Sequence, residues 1–334
     1  MKPALLAENL GKDISRCNLC AHRCRLPVDA VGICGVRKNI GGILYSLNYH
    51  RVAATHPDPI EKKPLYHVLP ASTSFSIATM GCNFSCAFCQ NHSLAMVRQE
   101  QIFGKSITPE ELVESALSFN SRSIAYTYTE PTIYFELMLE TAKLAHKEGL
   151  KNVMVTNGYM SPEALEEIQP YMDGANIDLK AFSDDFYKTY CGARLEPVKE
   201  TIGRMNRAGI WVELTTLLIP GLNDDEDEIQ QLTDFIAGVD PAIPWHVSRF
   251  FPQHQLTDAP ITPEDSIYHC LETGKEKGIQ YLYAGNIPGD RWAHTHCHHC
   301  GRLLIERSGY STRVLEMDAG KCGNCGTAIP GIWK

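Results

Sequence analysis

The stretch GCNFSCAFCQN, Gly81 to Asn91, sets Cys82, Cys86 and Cys89 in the spacing C-x₃-C-x₂-C. Thiolates at this density bind metal, and closed thiolate sites take four ligands. Three leave a coordination position that the chain does not fill, and an open position is where chemistry can happen. A cubane [4Fe–4S] cluster held by three cysteines would keep one iron free for an outside ligand. The alternatives are a zinc site or a chance spacing, and neither explains why the set stops at three.

The chain has thirteen cysteines. Cys297, Cys300, Cys322 and Cys325 form two C-x₂-C pairs separated by 21 residues, each pair followed by a glycine that permits a tight knuckle. A closed tetrahedral zinc site is expected there, with rubredoxin-like iron as the alternative. Four thiolates leave no ligand role for His296, His298 and His299. Cys17, Cys20, Cys24 and Cys34, in the spacing C-x₂-C-x₃-C-x₉-C, admit zinc or a second iron–sulfur cluster, and structural zinc is the preferred reading. His22 beside them reads as a surface residue. Cys191 and Cys270 stand alone and read as small buried hydrophobes.

The elements that must position these groups follow a β-α rhythm from about residue 74. Strands are predicted at 74–79, 122–128, 151–156, 173–179, 210–218, 244–250 and 280–284. TPEE at 108, SPEA at 161 and TPED at 262 predict helix starts, each with a Thr or Ser cap, proline at the first helical position and acids in the first turn. Asn223 before DDEDE predicts another. The fold class is therefore α/β, a partial or full (β/α) TIM-type barrel with small cysteine-rich appendages. Residues 1–72 form an N-terminal metal-binding region, 73–291 the barrel and 292–334 a zinc-ribbon-like tail. Barrel chemistry gathers at the C-terminal ends of the strands, and the cysteine triplet follows the first strand directly.

The 334 residues are 44% hydrophobic, with a net charge of −8 and a pI near 5.9. That balance gives no electrostatic drive toward nucleic acid or an anionic membrane. No run approaches the ~18 apolar residues of a membrane span. The first residues lack the pattern of a secretory signal, so a cytoplasmic protein is expected. In that reducing compartment the cysteines do not read as a disulfide framework.

The triplet, with Phe88 before its last cysteine, resembles the radical S-adenosylmethionine (SAM) superfamily. The resemblance implies Cys82, Cys86 and Cys89 as ligands of a [4Fe–4S] cluster, SAM chelating the open iron, and Phe88 beside the adenine. YTEPT at 128–132 resembles the family segment that meets the SAM ammonium, which implicates Thr129 and Glu130. TNG at 156–158 and IDLK at 177–180 resemble the pyruvate formate-lyase activating branch, and implicate Asn157, Asp178 and Lys180 near SAM. Val155 stands where that branch carries an aspartate. His246 in WHVSRFFP is implied near SAM on the same ground. The whole layout, including GICGVRKN, DPIEKKPLYHVLP, IPGLNDDEDE, YAGNIPG and the closing IPGIW, resembles the radical SAM enzymes of the AmmeMemoRadiSam system. That family's name implies a Memo-like partner protein, and the chemistry implies a flavodoxin- or ferredoxin-like electron donor. The implied function is reductive SAM cleavage to a 5′-deoxyadenosyl radical acting on a substrate, possibly protein-derived. A glycyl-radical-enzyme activase is the alternative within the class. A zinc-stabilised protein- or RNA-binding module is the alternative outside it.

Overall fold

A computed structural model describes residues 1–97, 101–289 and 291–334. Its frame is one nine-stranded sheet: β1 (Arg51–Pro59), β2 (Thr73–Thr79), β3 (Lys105–Ser106), β4 (Ser123–Tyr126), β5 (Lys151–Thr156), β6 (Gly174–Asp178), β7 (Trp211–Leu218), β8 (Trp245–Arg249) and β9 (Leu282–Gly285). The order across the sheet is β9-β8-β7-β6-β5-β4-β2-β1-β3. Six neighbouring pairs from β2 to β9 are parallel, while β1 is antiparallel to both β2 and β3. The crossovers carry α1 (Pro109–Ser118), α2 (Phe135–Lys147), α3 (Pro162–Ile168), α4 (Leu195–Arg207), α5 (Glu226–Val239) and α6 (Glu264–Glu276). Among the described residues no pairing joins β9 back to β3, so the barrel is partial.

β2 shows why this sheet is buried on both faces. Phe75 points outward and stacks on Phe119 just past α1. On the other face Ser74 accepts a hydrogen bond from Ser123 at 2.8 Å, and Ser76 donates to Asp58 at 2.8 Å. Small polar side chains leave room inside the barrel, and apolar ones meet the helices. The interior at the N-terminal ends of the strands is filled by Ile60, Leu65, Val68 and Leu69, with Ala125, Val153, Trp211 and Ile332 around them. Val68 and Ile332 pair as a short bridge, so the two chain-terminal regions meet under the barrel. The division at residue 72 therefore falls inside the sheet: β1 lies before it in sequence and pairs along β2 from Val52 to Pro59.

Two of the helix starts form as predicted. Thr108 and Glu111 make a reciprocal capping box, with Thr108 accepting from the Glu111 N–H at 3.3 Å and Glu111 from the Thr108 N–H at 2.7 Å. Ser161 accepts from the Ala164 N–H at 3.1 Å. The acids after Asn223 also open a helix as predicted, with Glu226, Asp227 and Glu228 in the first turn of α5, but there and at 262 the capping differs. Asp225 caps α5, while Asn223 is drawn into the loop after β7, donating to the Lys180 and Leu217 carbonyls at 2.7 and 2.9 Å. Thr262 is buried and accepts from the Phe250 N–H at 2.9 Å, so α6 begins after Pro263 without a side-chain cap.

The N-terminal residues form two small antiparallel sheets docked on α2. The anchor is a buried ion pair, Arg37 Nη2 to Glu136 Oε1 at 2.6 Å, supported by the Leu5 N–H at 2.7 Å from the same oxygen. Removing one partner would strand a buried charge, at a cost of roughly 3–5 kcal/mol. Among the described residues no helix is long and apolar enough to cross a membrane.

Candidate metal centres and cofactor site

The triplet sits on the loop that leaves β2, at the C-terminal end of the first parallel strand. Gly81 opens this loop with φ +106°, and a Cβ there would come within 2.8 Å of the Cys34 carbonyl oxygen and 2.7 Å of Val36. Only glycine tolerates both the angle and that approach. The loop is then pinned to the wide turn Tyr187–Cys191: the Ser85 N–H donates to the Cys191 carbonyl and the Ala87 N–H to the Tyr190 carbonyl, both at 2.9 Å.

The sulfur of Cys82 accepts the Phe84 N–H at 3.4 Å and lies 3.9 Å from Asn157 Nδ2. Cys86 shares a side-chain hydrogen bond with Cys191, which holds the Cys86 thiol below its usual range against the opposing effect of burial. Burial pushes Cys82 well up, with the Glu130 carboxylate adding to it, and burial also raises Cys89. The three sulfurs do not all lie within 4.8 Å of one another. Three spread thiolates, one accepting a backbone N–H, fit the corners of an iron–sulfur cluster better than one small ion.

Asp178 and Lys180 come to this site from the end of β6. Their side chains are joined at 2.8 Å, and Lys180 Nζ stands 5.8 Å from the Phe88 ring centroid. Burial works against the Lys180 charge, but Asp178, Cys86 and Cys191 raise its pKa well above the ordinary value. Phe88 is buried and packs on Phe186. Asn157 bridges to Asn83 Oδ1 at 2.8 Å, which holds the loop after β5 to the triplet loop.

Glu130 and Thr129 are committed to the protein itself. Glu130 Oε1 accepts from Thr132 N–H at 3.0 Å, Thr132 Oγ1 at 2.5 Å and Thr156 Oγ1 at 2.7 Å, and Oε2 accepts from the Asn157 N–H at 2.8 Å. Thr129 donates to the Thr79 carbonyl at 2.8 Å. Both tie the ends of adjacent strands together, and Glu130 fixes the backbone of Asn157.

His246 does not join this group. It is the second residue of β8, well below the strand's C-terminal end, and its Nε2 meets Glu213 Oε2 at 2.7 Å. It also stacks on Tyr283 with centroids 5.0 Å apart. Glu213 accepts the Tyr66 and His67 N–H groups at 2.9 and 2.8 Å, so His246 belongs to a buried polar network beneath the barrel.

The C-terminal quartet is compact. Cys297 and Cys325 sulfurs are 3.7 Å apart, as are those of Cys300 and Cys322. All four lie within 4.8 Å of one another. A tetrahedral ion with bonds of about 2.3 Å puts its sulfurs about 3.8 Å apart. Gly301 and Gly326, at φ +73° and +75°, turn the two knuckles as expected. The Asn324 side chain and the Arg302 N–H draw Cys300 down to about 6, so it is poised as a thiolate. The N-terminal quartet instead surrounds a void, with His22 in its wall rather than out on the surface.

Sequence reasoning missed Cys191, whose partnership with Cys86 comes from a distant turn and leaves no spacing signal. It also missed Asn83, which links three loops. Beside the triplet an open cleft of about 690 Å³ runs along Val52 to His56 of β1, with Asn91, Phe103 and Tyr128 on its other walls. Asn91 spans its inner end by donating to the Tyr128 carbonyl at 2.7 Å.

Comparison with known proteins agrees with this geometry. Residues 76–235 match the Radical SAM superfamily. The chain is 40% identical to the uncharacterized protein MJ0808 of Methanocaldococcus jannaschii over 98% of this chain and 99% of that one. It is 27% identical to a putative glycyl-radical enzyme activating enzyme, MJ1632, of the same organism, over 63% of this chain and 79% of the other. Among solved structures, a radical SAM methyltransferase from Sphaerobacter thermophilus has the same fold. It superimposes with a TM-score of 0.51 at 15% identity, covering 69% of this chain and 70% of that one.

Proposed function

This chain belongs to the radical SAM superfamily, and from that premise we propose that it cleaves SAM reductively and directs the resulting radical at a protein-derived substrate. One observation carries the reading: a loop of three spread thiolates at the C-terminal end of the first parallel strand, with Asn157, Asp178 and Lys180 gathered around it. Cys82, Cys86 and Cys89 would hold a [4Fe–4S] cluster, which would supply the one electron that reductive cleavage of SAM to methionine and a 5′-deoxyadenosyl radical requires.

The chain's own residues do the rest. Lys180, charged and steadied by Asp178, meets the SAM carboxylate, and its Nζ stands over the Phe88 ring. Asn157 holds the Cys82 end of the loop in place, and Glu130 holds Asn157. The cleft along β1 admits the substrate. A flavodoxin- or ferredoxin-like protein supplies the electron in the cytoplasm. The C-terminal quartet takes zinc.

A second reading, a glycyl-radical-enzyme activase, is supported by the relatives named as activating enzymes. A Memo-like protein is the partner in the first reading, a glycyl-radical enzyme in the second. Anaerobic reconstitution with SAM and dithionite, followed by mass spectrometry, tests the shared core: 5′-deoxyadenosine is expected. A glycyl electron-spin signal that appears only with a glycyl-radical partner would favour the second reading. No adenosyl product under any condition would contradict both.

A further inference from the structure

The N-terminal cysteines differ from the C-terminal ones in a way that identifies their cargo. No three of the Cys17, Cys20, Cys24 and Cys34 sulfurs lie within 4.8 Å of one another, although all four border the same small void. The cavity they enclose measures about 20 Å³. Gly32 marks one side of it: a Cβ there would sit 3.8 Å from the Cys34 sulfur and 3.9 Å from that of Cys24. A single tetrahedral ion draws its thiolates together and leaves no such space. A cubane core spreads them to roughly 6 Å apart.

The lining is prepared for a negatively charged guest. Backbone N–H groups of His22, Ile33 and Val36 stand beside the sulfurs of Cys20, Cys24 and Cys34. Arg37 is buried, with Nη1 4.0 Å from the Cys17 sulfur. Its Nε and the buried Nδ2 of Asn83 have no hydrogen-bond partner, and both residues border the void. Buried donors without acceptors are rare, and two that border one thiolate-lined void fit a negatively charged guest. A four-thiolate [4Fe–4S] cluster is such a guest.

We propose that Cys17, Cys20, Cys24 and Cys34 hold a second [4Fe–4S] cluster, fully ligated by the chain and separated from the SAM-binding triplet by the Asn83 wall. Asn83 follows Cys82 in the chain, so the two cluster loops are neighbours. The inference is independent of what the triplet does with SAM.

The test removes the triplet from the full chain. A Cys82→Ala/Cys86→Ala/Cys89→Ala protein, reconstituted anaerobically, is expected to retain about four iron and about four sulfide per chain beside about one zinc. On reduction it should give a cubane electron-spin signal. Adding Cys20→Ser and Cys24→Ser should abolish both the iron and the signal. In a second arm, the same two serines in the otherwise native chain should lower iron from about eight to about four while zinc stays constant. A triplet-free protein with fewer than four iron, or with about two zinc in their place, overturns the proposal, as does native iron that the serines leave unchanged.

Discussion

The two cysteine quartets have the same four thiolates and different geometry. At the C-terminus the sulfurs pair at 3.7 Å, turned inward by two glycine knuckles on separate segments. At the N-terminus they line a void walled by Arg37, Asn83 and Ile133. Ligand number tells that a metal binds. What lies between the sulfurs tells which kind, and that is set by the packing around them. The catalytic triplet belongs with the wide type, short of one ligand, and that missing ligand separates a working centre from a closed one.

The largest effect should come from breaking the wide, open site. Cys86→Ala is expected to abolish 5′-deoxyadenosine formation, while zinc content, measured by elemental analysis, stays the same. Breaking the compact site should do the reverse. Cys322→Ser should release zinc and lower the denaturation free energy by several kcal/mol, read from chemical unfolding, because metal binding in such small units is folding energy. Iron content should not change. Iron and zinc lost together would erase the distinction between the sites.

A pH dependence sharpens the same contrast, because the compact tail docks through His67. That side chain is buried, with Nδ1 2.7 Å from the Pro330 carbonyl and Nε2 2.7 Å from the Tyr283 hydroxyl. Burial lowers it from 6.5 to about 4. The unfolded chain therefore takes up this proton first. The contribution is complete above about pH 6.5 and falls as pH drops toward about 4, by at most roughly 3 kcal/mol. Unfolding followed from pH 7 to 5 should lose stability more steeply in the native chain than in His67→Gln; equal slopes would remove His67 from the account. The smallest effect is expected of Lys180→Met, which should raise the apparent KM for SAM about tenfold, or about 1.4 kcal/mol, with iron content intact.

Much of this was legible in the sequence because local rules and the tertiary structure agree. Each of the seven predicted β-α strands overlaps an observed one, five enclosing it and the first and last missing one residue at an end, since the apolar runs are buried between helices and barrel interior. Thr108 and Ser161 cap helices because nothing else competes for their hydroxyls. Thr262 and Asn223 fail as caps because the loops after β7 and β8 offered their polar atoms buried partners. The triplet was readable from its spacing and the shared face of Asp178 and Lys180 from the strand period, while Phe88, before the last cysteine, was implied by the resemblance. The pairing of His246 with Glu213 left no signal in its motif, because the two lie on different strands. The partnership of Cys191 with Cys86, and the width of the N-terminal quartet, depend on contacts between segments far apart in the chain.

The central claim is that the chain leaves one iron of the triplet's cluster open for SAM. Electron–nuclear double resonance on the reduced protein, with SAM labelled at its amino nitrogen and carboxylate, tests it most directly. Hyperfine coupling from both labels to the cluster is the predicted result. A spectrum indifferent to SAM, which changes only when Cys191→Ala removes a fourth thiolate beside Cys86, would contradict it.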